Sequence, residues 1–478
     1  MTSDQRAILN RRHFLVGCAA CVGCSMSANA DSEIFTPEAF GASGDGKTDD
    51  TDAFVALSQH LNKSGGGTVL LRRATYIVGK QALGGKNRSY RPSPILDFQK
   101  CSRPVSIVGN GAVLRAAPGL RFGTFDPSTG RPFEHAMPFY EPKGRASPYE
   151  AMINIERCSG SIAISDLELD GNLGALQIGG KWGNRGWQIG GSGIRLVGNS
   201  GPERIERVYV HHHPLDGLLI LGAEDRTTST LISDVVSEYN GRQGCTVSSG
   251  RNYNFERCRF SRTGKGGLQS APGAGVDIEA GHSKIRDLRF SGCEFSDNDG
   301  VGVVADTGNS AGALFDDCRF IGTTRWSAWP DKPLFRFVNC LFVGSLAHPK
   351  GDADPLRAAQ FSGCRFRDDP SLSPTGQVYG GTGKSRPIVL APSGRNIMFA
   401  KCDFTLTAAA VLPFTNRNVI YSDCTMSQRS PELAHPNGTF IGTNRIDGNV
   451  DLSRSAVKGE LVVNGRSRVG NDAQDSNS

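Results

Sequence analysis

Cys258-Arg259-Phe260, Cys293-Glu294-Phe295, Cys318-Arg319-Phe320, Cys340-Leu341-Phe342, Cys364-Arg365-Phe366, Cys402-Asp403-Phe404 and Cys424-Thr425-Met426 repeat one triplet: a cysteine, any residue, then a large apolar side chain. Successive cysteines stand 35, 25, 22, 24, 38 and 22 residues apart. A recurrence near 22–25 residues with occasional longer gaps is the mark of a solenoid whose coils carry loops of different length. Within each triplet the first and third residues share a face, as the period of two in a strand requires. Stacked coils turn those faces into inward ladders, in which a thiol acts as a small hydrophobe and the phenylalanine fills the remaining width. The pattern predicts an all-β fold, a single-stranded right-handed parallel β-helix.

A chain of 478 residues could hold three average domains, but a solenoid grows by adding coils, so one long domain is expected over residues 31–464. The 60 glycines and the absence of helical heptads suit short strands joined by tight turns. A formal net charge of +6 is spread along the chain, with no basic run interleaved with aromatics, which argues against nucleic acid as a partner. The segment from about Gly465 to Ser478 is polar and reads as a disordered tail.

Residues 1–30 read as an export signal. Asn10-Arg11-Arg12-His13-Phe14-Leu15 resembles a twin-arginine signal, followed by a short, weakly apolar run, and Ala28-Asn29-Ala30 offers the small residues a signal peptidase reads. This implies the twin-arginine machinery as a partner and a periplasmic or extracellular address. Leu15-Val16-Gly17-Cys18 also looks like a lipidation box, but too few residues separate it from the arginines for an apolar core to precede it. No later segment reaches 18 uncharged apolar residues, so no membrane span is expected. Ten of the 13 cysteines lie beyond residue 30. An even number in an exported chain invites a disulfide framework; the periodic spacing instead points to buried free thiols.

The mature chain opens with Phe40-Gly41-Ala42-Ser43-Gly44-Asp45-Gly46-Lys47-Thr48-Asp49-Asp50-Thr51-Asp52-Ala53-Phe54. Glycine and aspartate specify a turn, Thr48 or Asp49 can cap a helix, and Ala53, Phe54, Leu57 and Leu61 make its apolar stripe. Such a helix would shield the open edge of the first coil, and Gly65-Gly66-Gly67 would end it. This stretch closely resembles the opening motif of the pectate-lyase-like superfamily, which includes rhamnogalacturonases, tailspike depolymerases and epimerase-like proteins. The resemblance implies a right-handed β-helix that acts on acidic or branched polysaccharides in a groove along one sheet. Residues 115–150, 172–193 and Thr323–Pro333 read as loops inserted between coils, the second carrying Trp182 and Trp187 and the third Trp326 and Trp329.

Four glycine-led strands align: Asp216-Gly217-Leu218-Leu219-Ile220, Gln243-Gly244-Cys245-Thr246-Val247, Ala274-Gly275-Val276-Asp277-Ile278-Glu279 and Asp299-Gly300-Val301-Gly302-Val303. In that register Leu218, Cys245, Val276 and Val301 point inward, with Ile220, Val247, Ile278 and Val303. Asp277 and Glu279 then stand on the outer face, roughly 6.5–7 Å apart at the backbone. Asp216, Gln243 and Asp299 mark the strand starts, with Arg242 beside them. Close carboxylates raise one another's pKa, so one can stay protonated as a general acid while its neighbour is ionised; a separation of roughly 6.5–9.5 Å would suit an inverting glycosidase. The plain alternative is a pair of solvated surface acids.

Tyr239-Asn240-Gly241-Arg242-Gln243-Gly244 and Ala271 to Glu279 resemble a motif pair common in bacterial β-helix proteins, which adds weight to Arg242, Gln243, Asp277 and Glu279. The motifs of polygalacturonase-type hydrolases are not matched: Gly281-His282-Ser283 is partial and lies in the same coil as Glu279, and the Asp-Pro-His motif of mannuronan epimerases is missing. His211-His212-His213 ends a strand, where alternation of faces argues against convergence on a metal; His211 or His213 could contact substrate.

The expectation is an exported carbohydrate-active enzyme cleaving an acidic or complex polysaccharide by hydrolysis. Asp277, Glu279 and Asp299 would be catalytic, and Arg242, Gln243, Tyr239, Asp216, His213, Lys265, Trp182 and Trp187 would bind substrate. No metal and no cofactor are expected, unless the protein is a β-eliminating lyase, which would use Ca²⁺ and a base such as Lys265, Arg242 or Tyr239. A non-catalytic glycan-binding or envelope protein is the reading from another class.

Overall fold

The computed structural model describes residues 33–84, 88–126, 128–132, 144–180 and 189–469. The expected export signal, Trp182, Trp187 and residues 470–478 lie outside them.

Each coil's strands pair in parallel with the equivalents one coil on. Phe260, Phe295, Phe320, Phe342, Phe366, Phe404 and Met426 are directly opposite one another in successive strands. The fold is the right-handed parallel β-helix expected from the triplets. Beyond Cys-x-Phe, the ladder has a second aromatic column: Phe255, Phe290, Phe315, Phe337, Phe361, Phe399 and Tyr421 stand three residues before each cysteine. Their rings stack with centroids 4.5–5.4 Å apart. Three residues would normally reverse the face. The residue before each cysteine (Arg257, Gly292, Asp317, Asn339, Gly363, Lys401, Asp423) has a left-handed φ of 51–63°, which turns the corner and returns the cysteine to the inside.

The ten described cysteines are buried and free. Each ladder thiol from Cys258 to Cys424 lies 3.2–3.5 Å from a carbonyl of the preceding coil. Burial pushes thiols such as Cys293 well above their ordinary pKa, away from the reactive thiolate. Because all ten are buried, native protein should resist iodoacetamide, whereas protein denatured without reductant should be alkylated at all ten. A disulfide-linked peptide recovered in high yield after denaturing digestion would contradict this.

The single α-helix among the described residues spans Thr51–Ser64 and buries Ala53, Phe54, Leu57 and Leu61. It packs on the strand Leu96–Gln99 and stops at Gly65, which is left-handed. Its start corrects the sequence expectation by one residue. Asp50 holds the N-cap position, but its carboxylate accepts from Ser43 and Gly44 N–H, while Asp49 Oδ1 accepts from Thr51 N–H at 2.9 Å. No described helix is long and apolar enough to cross a membrane.

The first two insertions contribute to a five-stranded side sheet with Gln81–Leu83 and Arg88–Pro92, through Arg121–Thr124, Arg145–Ala146 and Gln177–Gly179. The third is not wholly loop: Ala328–Pro330 pairs with Val303–Ala305 as a coil strand. At the C-terminal end, Ala456–Val463 pairs antiparallel with Arg466–Val469, so ordered strand continues past residue 464.

Candidate functional site

On one sheet, Asp216–Leu221, the start of Gln243–Glu256 and Ala274–Ile278 lie side by side with Leu218, Cys245 and Val276 in register, as expected. The fourth strand is displaced by two residues: Val276 faces Val303, not Val301. A buried asparagine at the corner marks the register. Asn240 Oδ1 accepts from His213 N–H, and Asn298 Oδ1 accepts from Thr263 N–H at the equivalent point two coils on. Counting three residues from each asparagine aligns Gln243 with Val301. Asp299 therefore matches Gly241, not Gln243; it contacts the Gln269 amide and lies off the row that carries Asp277.

Asp277 is 4 % exposed. Its Oδ2 accepts from Gln243 Nε2 at 2.6 Å. Behind it, Arg242 grips Asp216 through Nε and Nη2 at 2.8 and 2.5 Å, and Thr246 Oγ1 donates to the same carboxylate at 2.9 Å. Thr246 and Asp277 are paired neighbours on adjacent strands. The loop after Arg262 folds back on Gly241, the neighbour of Arg242: Ser270 N–H bonds Gly241 O at 2.8 Å and Leu268 packs over Gly241.

Burial is the main reason Asp277 titrates high, at about 7; the negative charges of Glu279 and Asp306 add to it, against the Gln243 hydrogen bond and Arg242. Glu279, just past the strand end, is exposed. Gln243 Oε1 is buried without a hydrogen-bond partner. A turn of the amide would let that oxygen accept from a protonated Asp277, so Gln243 can serve either protonation state.

Several sequence expectations need correction. Asp277 faces outward as alternation demands, but its neighbours leave only its edge, 4 % of it, in contact with solvent. Asp216 is fully buried and Gln243 nearly so, so neither is placed for substrate contact. Arg242 is committed to Asp216, which makes it part of the platform beneath Asp277. His213 is fully buried, with Nδ1 at 2.9 Å from Tyr149 Oη and Nε2 at 3.2 Å from Leu169 O; burial lowers its pKa to about 3, which keeps it neutral. It is a core histidine. Asp306 and Thr246 were not singled out in the sequence, although Asp306 follows the Val303–Ala305 strand as Glu279 follows Ala274–Ile278.

Tyr239 and Lys265 belong to a second group, on the corner where His212, Tyr239, Arg262 and Asp297 all take left-handed φ in successive coils. His212 stacks on Tyr239 with centroids 5.0 Å apart, Arg262 lies 5.4 Å over the Tyr239 ring, and Lys265 pairs with Asp297. Arg262 and Asp297 also line a cleft of about 260 Å³ with Arg259, Glu294 and Arg319. Trp326 packs edge-on to Tyr379, and Trp329 stacks on His348 at 4.5 Å.

A family model described as "right handed beta helix region" matches residues 152–329. No curated protein matches the chain. Among solved structures it is similar to the A-module of the mannuronan C-5 epimerase AlgE4 of Azotobacter vinelandii (14 % identity over 90 % of this chain and 97 % of that one, TM-score 0.49). It is also similar to the tailspike protein gp49 of Acinetobacter baumannii bacteriophage Fri1, a capsular polysaccharide depolymerase (12 % identity, 89 % and 64 %, TM-score 0.46). A third similar structure is the hyperthermoactive exopolygalacturonase of Thermotoga maritima (12 % identity over 91 % of this chain and 93 % of that one, TM-score 0.34).

Proposed function

We propose that this chain is an exported enzyme that hydrolyses an acidic or complex polysaccharide, with Asp277 as general acid and Glu279 as the base that activates water. The observation that carries this is the contrast between the two carboxyl groups. Asp277 is buried and titrates at about 7, whereas Glu279 stands exposed at the end of the same strand. Two acids whose surroundings separate their roles are what glycosidic cleavage uses. Arg242, Asp216, Thr246 and Gln243 hold Asp277 in place, and Asp306 adds charge that keeps its proton on. The polymeric substrate class follows from the resemblance of the Phe40–Phe54 opening motif, and the export route from Arg11-Arg12.

The test is incubation with a panel of plant and bacterial polysaccharides. New reducing ends without unsaturated uronate support hydrolysis; unsaturated product would replace this reading with β-elimination, and no product with any polymer would favour a binding protein. On a polymer that is cleaved, kcat/KM should fall as pH rises through about 7, because the free enzyme then loses the Asp277 proton. A rate that is flat or rising across that range would remove Asp277 from the acid role.

A further inference from the structure

We propose that Asp170, His211 and His212 form a binding site for one divalent transition-metal ion, zinc in the first instance, with Glu168 orienting His211. Consecutive strand residues should point to opposite faces. His212, however, has a φ of 56°, and this left-handed turn brings its ring back beside that of His211. The two Nδ1 atoms are 2.7 Å apart, and His211 Nδ1 is 3.8 Å from Asp170 Oδ1. All three donor atoms lie within 4.8 Å of one another. Donors about 2.0–2.1 Å from a tetrahedral zinc ion stand about 3.4 Å apart, between the two observed separations.

The surroundings match what a metal-ligating histidine needs. His211 Nε2 lies 3.2 Å from Glu168 Oε1, so the carboxylate accepts from Nε2–H, which fixes the proton on Nε2 and leaves the Nδ1 lone pair to face the site. The His211 ring is also clamped by stacking on Tyr209, with centroids 4.1 Å apart. Asp170 is held through Oδ2 by Arg115 Nε at 2.8 Å and through Oδ1 by Asn172 N–H at 2.8 Å, which leaves a second Oδ1 lone pair for a cation. Without metal, His212 Nδ1–H donates to His211 Nδ1. Metal replaces that shared proton, and His212 moves its own proton to Nε2. Two imidazoles and one carboxylate suit zinc and its neighbours in the first transition row, and the ions Ca²⁺ and Mg²⁺ poorly. Three protein donors are one short of the four that zinc takes, so water or a sugar oxygen would complete the set.

The test uses the full chain, freed of metal by chelator dialysis and titrated with Zn²⁺ by calorimetry and with Co²⁺ by visible absorption. One ion per chain is expected, with cobalt bands typical of nitrogen and oxygen ligands. His212→Ala should weaken binding at least ~100-fold, and Glu168→Gln by ~10–100-fold, as when an orienting carboxylate is lost. His211→Ala should behave like His212→Ala; if it fails to fold, the half-buried His212 and Glu168 positions still decide. Binding that survives both of these substitutions, cobalt spectra showing thiolate ligation, or no stoichiometric binding at all would overturn the proposal. None of these readouts depends on activity, so they stand apart from the fate of the Asp277 reading.

Discussion

Asp277→Asn should lower turnover at least ~10²-fold, in line with the contribution of a general acid or base, while making the folded protein more stable at pH 8. The substitution keeps the shape of the side chain and an oxygen that can accept from Gln243 Nε2. It removes only the proton and the charge. The stability effect follows from the raised titration of Asp277, from 3.8 to about 7 in the fold. Between these values the unfolded chain has lost the proton and the folded chain keeps it, so wild-type stability falls as pH rises. Above about 7 the folded protein carries a buried carboxylate at its full cost, on the order of 4 kcal/mol at most. The asparagine variant has no such loss. Its advantage in melting temperature should be near zero at pH 4, grow with pH, and level off above about 7. Near wild-type turnover would show that the acid lies elsewhere; a variant less stable than wild type at pH 8 would show that burial does not set the titration of Asp277.

The sequence made the ladder legible because cysteine and phenylalanine recur together and cannot both be solvated so regularly. It hid the second aromatic column, although an aromatic stands three residues before each of seven cysteines. The intervening left-handed residue breaks the period of two, and Arg257, Asp317 or Lys401 carry no sign of that conformation. The same device explains His211 and His212: alternation of faces forbids their convergence, and one positive φ permits it. The two-residue slip at Val303 was readable in principle from Asn240 and Asn298, since both precede a glycine-led strand and both bond backbone across the corner. Alternation correctly put Asp277 outside the coil. It could not show that the loop after Arg262 folds back over Gly241, nor that Arg242 would be drawn to Asp216, because cover and pairing come from residues distant in the chain.

Phe295→Ala should cost about 3–5 kcal/mol, the range for truncating a fully buried phenylalanine. The ring has no exposure. It stacks between Phe260 and Phe320, with centroids 5.9 and 4.9 Å away, and meets Phe290 and Phe315 edge-on at 5.7 and 6.1 Å. These neighbours sit on parallel strands fixed by backbone pairing to the coils on either side. They cannot close the gap without breaking register, so the cavity should persist. A solenoid couples each coil mainly to its neighbours, so hydrogen exchange should accelerate most in the coils around Phe260, Phe295 and Phe320. The helix Thr51–Ser64, which packs on the strand Leu96–Gln99 several coils away in the N-terminal part of the stack, should keep its protection. Phe295→Leu refills most of the volume and should lose less than half as much. A melting temperature within ~2 °C of wild type for the alanine variant, against the several degrees such a loss implies, would mean the two aromatic columns do not carry the stability of the stack.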